Sequence, residues 1–163
     1  MKIRENNYED ISIGPVHSQV REQTYWEDVE DGMELPTIDV VLDWTEMAKQ
    51  VSGSQDFNPL HHDVDYARSQ GHSNPFMNTR WHEGWFSRLL HDFTGPEGWP
   101  RKFQMQMRRT NELGDKITFG GTVVQKHAED DQHLVDLELW IDNQRHNAVS
   151  TVATATVWLP SRG

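Results

Sequence analysis

The apolar positions of this chain follow two periods. Trp81, Trp85 and Leu89 recur at i, i+4 and i+8, and Phe86, Leu90 and Phe93 widen the stripe beside them. That spacing predicts a long amphipathic helix with a broad apolar face, ended by Gly95-Pro96. Beyond it the period shortens. Lys102 to Thr110 alternates in part through Phe103, Met105 and Met107, and Lys116 to Lys126 carries Ile117, Phe119, Val123 and Val124. His133 to Ile141 alternates cleanly through Val135, Leu137 and Leu139, with Asp136 and Glu138 between them. Asp142-Asn143-Gln144 reads as a turn, and Ala148 to Leu159 is small and β-branched. Four successive strand patterns predict an antiparallel meander. A helix with so wide an apolar face needs cover, and the strands supply a sheet that can curl around it. The bland reading of the aromatic stripe is therefore core packing.

The chain before this helix is less regular. Residues 1–24 show no clear period and contain Gly14-Pro15, so they read as an irregular arm or a partner-contacting tail. Asp31-Gly32 is a turn signal, and Thr37 to Leu42 reads as a short strand. Asp43 is placed to cap a helix, with Glu46 three positions on as in a capping box. That helix is expected from Trp44 to about Ser52, with a stop at Gly53. Asp63 caps a second, short helix through Ala67 to Gly71, and His72 to Pro75 is a loop. No repeat, linker or second domain is visible. The division expected is an arm over 1–24 and one α+β domain over 25–163.

Composition narrows the partners. The chain has 163 residues, enough for one domain with a real core, and it is 35% hydrophobic and 25% charged. A formal net charge of −11 argues against nucleic acid, whose phosphates need clustered Lys and Arg. No apolar run approaches the ~20 residues of a membrane span. The start, Met1-Lys2-Ile3-Arg4-Glu5-Asn6, lacks the apolar middle of a secretory signal. There is no cysteine, so disulfides and a thiol nucleophile are excluded. A soluble cytoplasmic protein is the simplest expectation.

Candidate chemistry concentrates in Ser52 to Tyr66. Asp56 and His61 stand five positions apart, a spacing that suits a bent loop rather than a helix face. Pro59 fixes its own φ and pushes Asn58 toward an extended conformation, which stiffens the loop. A carboxylate and an imidazole held toward one water form a proton-transfer pair. On residue types alone the plainer reading is favoured, with Asp56 as a turn cap and His61 as a solvated loop residue.

Two stretches resemble one family. Asp56-Phe57-Asn58-Pro59-Leu60-His61-His62-Asp63, followed by Tyr66-Ala67, resembles the signature of the MaoC-like, (R)-specific enoyl-CoA hydratases, and Asn111-Glu112-Leu113-Gly114-Asp115 resembles that family's step into a long strand. The resemblance covers about Tyr25 to Pro160. It implies a hotdog fold, an antiparallel sheet wrapped around a long central helix. It also implies an activity, addition of water to a trans-2-enoyl thioester or the reverse, with Asp56 and His61 as the catalytic pair and Asn58 positioning the loop. No separate cofactor follows, since coenzyme A arrives as part of the substrate. Backbone N–H groups around Asn78, Thr79 and Arg80 would then face the thioester oxygen. The family commonly has glycine where this chain has Thr79, and again where it has Gln55, so a reshaped pocket is expected. Pro75-Phe76-Met77-Asn78-Thr79 and Asp92-Phe93-Thr94-Gly95-Pro96 resemble members that act on bulky acyl-CoAs, including those of steroid side-chain breakdown.

Coenzyme A carries phosphates, and Arg101, Lys102, Arg108 and Arg109 are the basic cluster available, with a solvated strand edge as the plain alternative. His61, His62, His72 and His82 with Asp63 and Asp65 show no helical His-x-x-x-His spacing, so no metal is expected. The expected assembly is a homodimer or a heteromer with a related chain, with Trp140 and Trp158 as candidate interface residues. A thioesterase on the same fold and a non-catalytic subunit are the competing readings.

Overall fold

The computed structural model describes residues 21–163. Residues 1–20, most of the arm read from the sequence, lie outside the described residues. Three helices, α1 (Trp44–Ser54), α2 (Val64–Ser69) and α3 (Thr79–Thr94), accompany five strands: β1 (Ile38–Val41), β2 (Trp99–Met107), β3 (Lys116–Glu129), β4 (Gln132–Asn143) and β5 (Ala148–Trp158). The strands form one antiparallel sheet in the order β1-β3-β4-β5-β2.

The sheet packs on α3 as the period-2 pattern requires. Ile117, Phe119 and Val123 of β3, Val135, Leu137, Leu139 and Ile141 of β4, and Ala153, Ala155 and Val157 of β5 are all buried. They meet Phe86, Leu89, Leu90 and Phe93 of α3 in one cluster. The opposite face carries Asp136, Glu138 and Trp140 in alternate positions of β4. Trp140 lies there over Gly120, where an added Cβ would come within 2.3 Å of its ring. Trp140 and Trp158 are half-buried, and neither belongs to the core.

Three details differ from the sequence reading. First, only β3, β4 and β5 form a meander; β2 pairs with β5, not with β3. Residues 108–115 are a crossover rather than a hairpin loop. Arg108 and Arg109 still donate to Ser150 C=O, and the segment then passes the start of α3, with Met77 N–H on Asn111 C=O and Leu113 N–H on Pro75 C=O, both at 2.8 Å. Crossing three strand spacings takes roughly 14 Å, which a two-residue turn cannot span. Second, α1 continues through Gly53 to Ser54. Gly53 is a packing residue, since a Cβ there would sit 3.2 Å from the Trp81 ring. Gln55, at φ 56°, turns the chain instead. Third, β3 and β4 run further than expected and meet at Asp130 (φ 49°) and Asp131 (φ 62°). Two left-handed residues match the turn that a two-residue hairpin requires.

The caps fall where the residue types placed them. Asp43 Oδ1 accepts from Glu46 N–H at 2.9 Å and Asp63 Oδ1 from Tyr66 N–H at 2.9 Å. The far end of α3 is closed by the segment that precedes the domain. Thr24 donates to Phe93 C=O at 2.6 Å and Gln23 Nε2 to Thr94 C=O at 2.8 Å, taking up carbonyls that the helix leaves without partners. Gly95 makes this possible, with φ 77° and an absent Cβ that would otherwise stand 2.5 Å from Glu22 C=O.

Gly95→Ala should therefore lower stability by about 1–3 kcal/mol, from left-handed strain and loss of the Gln23/Thr24 cap. Urea unfolding against wild type measures it, and an unchanged midpoint would contradict the docking of residues 21–24.

Candidate active site

The site is assembled where α1 ends, the Asp56–His61 loop turns and α3 begins. Gln55 takes a left-handed conformation, which directs Asp56 back across the end of α1. Asn58 is extended (ψ 127°), as a residue before proline should be. Its side chain accepts from Leu60 N–H at 3.0 Å and so caps the single 3-10 turn Pro59–His61. That turn carries His61 inward and His62 outward: His61 is 7% exposed and His62 is exposed.

The His61 ring is held from both sides. Its Nδ1 lies 2.8 Å from Phe76 C=O, a pure acceptor, so Nδ1 donates there. Its Nε2 faces Asp56 Oδ2 at 3.3 Å. Asp56 Oδ1 accepts from Asn58 N–H at 3.3 Å, and the carboxylate is about one-third exposed. The structure thus brings Asp56, Asn58 and His61 together, with Asp56 the more exposed of the pair.

The start of α3 lies beside them. Asn78 caps it, accepting from Trp81 N–H at 2.8 Å and donating to Ser54 Oγ at 2.8 Å. Its own N–H is taken by Gln50 Oε1 at 2.8 Å, so Asn78 is not available as the oxygen-binding donor expected from the sequence. Thr79 and Arg80 N–H have no acceptor among the described residues. Two donors at a helix N-terminus, with the dipole behind them, form a site for developing negative charge. Thr79 Oγ1 stands 3.9 Å from Met107 Sδ, so its Cβ lies between the helix start and the edge of β2.

The four basic residues do not form one cluster. Lys102 and Arg108 sit six residues apart in an extended strand, roughly 20 Å. Arg108 and Arg109 lie at the end near Thr79, and Arg101 and Lys102 at the opposite end. Among the described residues no group of three or more His, Asp or Glu side chains gathers as a metal site, and no helix is long and apolar enough to cross a membrane.

Sequence reasoning missed the polar framework behind the site. His82, buried in α3, donates from Nδ1 to Asn78 C=O at 2.7 Å and accepts at Nε2 from Asn111 Nδ2 at 2.9 Å. Asn111 Oδ1 accepts from Asn143 Nδ2, which also reaches Asp115 Oδ2. Arg145 closes the chain on Asp115 at 2.7 Å. Burial pushes the Asp115 carboxyl up, but the bonds from Arg145, Asn143 and Glu112 N–H outweigh it and hold it below the usual carboxylate range. Burial lowers His82 to about 4, against a smaller upward pull from Asn78 C=O. The one signal available was polar residues at positions whose helical neighbours are apolar, such as Gln50 beside Met47 and Val51.

No family model matches the chain. A curated relative, the 3-oxo-4,17-pregnadiene-20-carboxyl-CoA hydratase beta subunit of Mycobacterium tuberculosis, is 28% identical over 92 residues, 56% of this chain and 71% of the relative. One chain of the ChsH1-ChsH2 complex of the same organism superposes with a TM-score of 0.72 at 24% identity, covering 80% of this chain and 98% of that one. The (R)-hydratase of A. caviae involved in PHA biosynthesis superposes with a TM-score of 0.73 at 24% identity, covering 82% and 99%. The chain has the hotdog fold of the MaoC-like dehydratases and (R)-hydratases. In this hotdog chain the long α3 is the central helix and β1-β3-β4-β5-β2 is the sheet that covers it.

Two outcomes follow from this geometry. The unfolded chain binds a proton at His82 near pH 6.5 and the folded one only near 4. Stability due to this residue is thus complete above pH 6.5 and falls, by up to about 3 kcal/mol, as pH drops toward 4. Urea unfolding at pH 7.5 and pH 5 should show a smaller difference in His82→Asn than in wild type; an equal difference would contradict the assignment. Gln55→Gly should relieve left-handed strain and raise stability by roughly 0.5–1 kcal/mol, read as a higher melting temperature.

Proposed function

We propose that this chain adds water across the 2,3 double bond of an enoyl-CoA thioester, or removes it from the 3-hydroxyacyl product. The observation that carries the reading is the 3.3 Å pairing of Asp56 and His61 beside the two open N–H groups at the start of α3. A water held between the carboxylate and Nε2 gives its oxygen to C3 while a proton is delivered to C2. The pair takes one proton from the water and passes one to carbon, so that its own proton count is unchanged over the cycle. The thioester oxygen, which gains negative charge as C3 is attacked, is received by Thr79 and Arg80 N–H. Atoms balance: one water enters, one of its O–H bonds and the C2–C3 π bond are lost, and one C–O and one C–H bond form. Arg108 and Arg109, exposed at that end of β2, are the cations in place for coenzyme A phosphates.

The names of the relatives support this chemistry and a bulky acyl group, since the curated relative is a hydratase of a steroid-derived CoA ester. That relative is a beta subunit and one structural relative is a two-protein complex. Strand β2 supports an assembled state here. Seven of its nine residues are exposed, Trp99 at 62%, and its outer edge is unpaired among the described residues. A long bare edge carrying Trp99, Phe103 and Met107 calls for a partner strand. We infer a homodimer, or a dimer of heterodimers with a related chain, with the acyl group held along that seam.

Asp56→Asn and His61→Ala should each reduce turnover of an enoyl-CoA about 10²–10⁴-fold, followed at the enoyl absorbance. Near-normal turnover in either variant would sink the assignment. Thr79→Gly should improve handling of crotonyl-CoA relative to ring-bearing substrates, because it removes the Cβ beside the thioester site. Unchanged selectivity would show that Thr79 does not restrict approach.

A further inference from the structure

Gln50 lies in the middle of α1, 1% exposed, and bonds two backbone groups 26 and 28 residues away. Its two ends are distinguishable. Asn78 N–H can only donate, so the end 2.8 Å from it is Oε1. Nε2 then donates to Phe76 C=O at 3.2 Å and lies 2.8 Å from Met47 Sδ. Phe76 C=O is the same carbonyl that receives Nδ1–H of His61 at 2.8 Å. A carbonyl oxygen has two lone pairs, and here one serves the imidazole and the other the amide. One turn later on α1, Ser54 repeats the contact by accepting from Asn78 Nδ2. A single buried side chain therefore ties the carbonyl that orients His61 to the residue that starts α3.

We propose that Gln50 is a positioning residue for the Asp56/His61 pair. It holds Phe76 C=O where only the Nδ1–H form of neutral His61 fits, so that Nε2 is the ring atom presented to Asp56 and to water. It also sets the offset between that ring and the open N–H groups of Thr79 and Arg80. The kinetic half of this inference rests on the hydratase reading; the structural half rests on hydrogen-bond geometry alone.

The competing role is packing of α1 against α3, which an isosteric apolar side chain would serve as well. Gln50→Met keeps the shape and loses both bonds. Gln50→Glu keeps an acceptor for Asn78 N–H and sets an oxygen against Phe76 C=O. Long-range proton–nitrogen spectra of the ¹⁵N-labelled full chain at alkaline pH report the His61 tautomer, assigned by comparison with His61→Gln. Wild type should show Nδ1–H, and both variants a mixture. Turnover should fall about ten- to a hundredfold, as for a misplaced catalytic group, with KM held within about threefold. A folded Gln50→Met with the wild-type ring pattern and wild-type turnover would overturn the proposal. If wild type hydrates no enoyl thioester, the hydratase reading fails while the ring pattern still decides the positioning role. If Gln50→Met does not fold, Gln50→Glu decides it by the same two readouts.

Discussion

The start of α3 is the constraint on which the rest depends. A helix leaves its first N–H groups without partners, and burying them unsatisfied is costly. This chain satisfies two of the first four with side chains. Gln50 takes Asn78 N–H, Asn78 takes Trp81 N–H, and His82 reaches back to Asn78 C=O. The Asn111–Asn143–Asp115–Arg145 chain then fixes His82 from behind, joining the β2–β3 crossover and the β4–β5 hairpin to one point. What remains open is the N–H of Thr79 and of Arg80, in the helix start that follows Phe76, the residue bonded to His61. The donors left over by this paired framework are the ones that the proposed reading assigns to a substrate oxygen.

Much of this was legible in the chain. The Trp81–Trp85–Leu89 stripe located α3 because a core helix must repeat near 3.6 residues. Asp43 and Asp63 marked helix starts because a short carboxylate meets N3 wherever it precedes a helix. Asp56 and His61 were legible through the intervening Asn58-Pro59, which stiffens the loop and sets a single turn. Pairing partners were not legible. Alternation in Phe103, Met105 and Met107 announces a strand but not its neighbour, and only the route of residues 108–115 past Pro75 and Met77 puts β2 beside β5. For the same reason Arg101–Lys102 and Arg108–Arg109 looked like one patch in sequence and lie at opposite ends of a strand. Gly53 read as a stop because glycine ends helices, yet here its missing Cβ admits Trp81. Gln50 carried no signal beyond a polar type on an apolar face.

The proposed reading asks an acidic chain to receive an anionic ligand. The formal net charge is −11, whereas the start of α3 offers backbone donors, a helix dipole and the nearby Arg108 and Arg109. Local geometry outweighs net charge at short range because exposed charges more than about a Debye length away are screened. In the proposed reading, β2 and the two arginines just after it contribute twice, to the anionic ligand and, through the apolar residues on the open edge, to assembly.

The central claim is that Asp56 and His61 direct water to carbon 3 rather than to the thioester carbonyl. Incubation of the purified chain with an enoyl-CoA in ¹⁸O-water, followed by mass analysis of the products, tests this directly. The account predicts one ¹⁸O in a 3-hydroxyacyl-CoA, on carbon 3, with the thioester intact. Label in a free carboxylic acid, with release of the coenzyme A thiol, would contradict it.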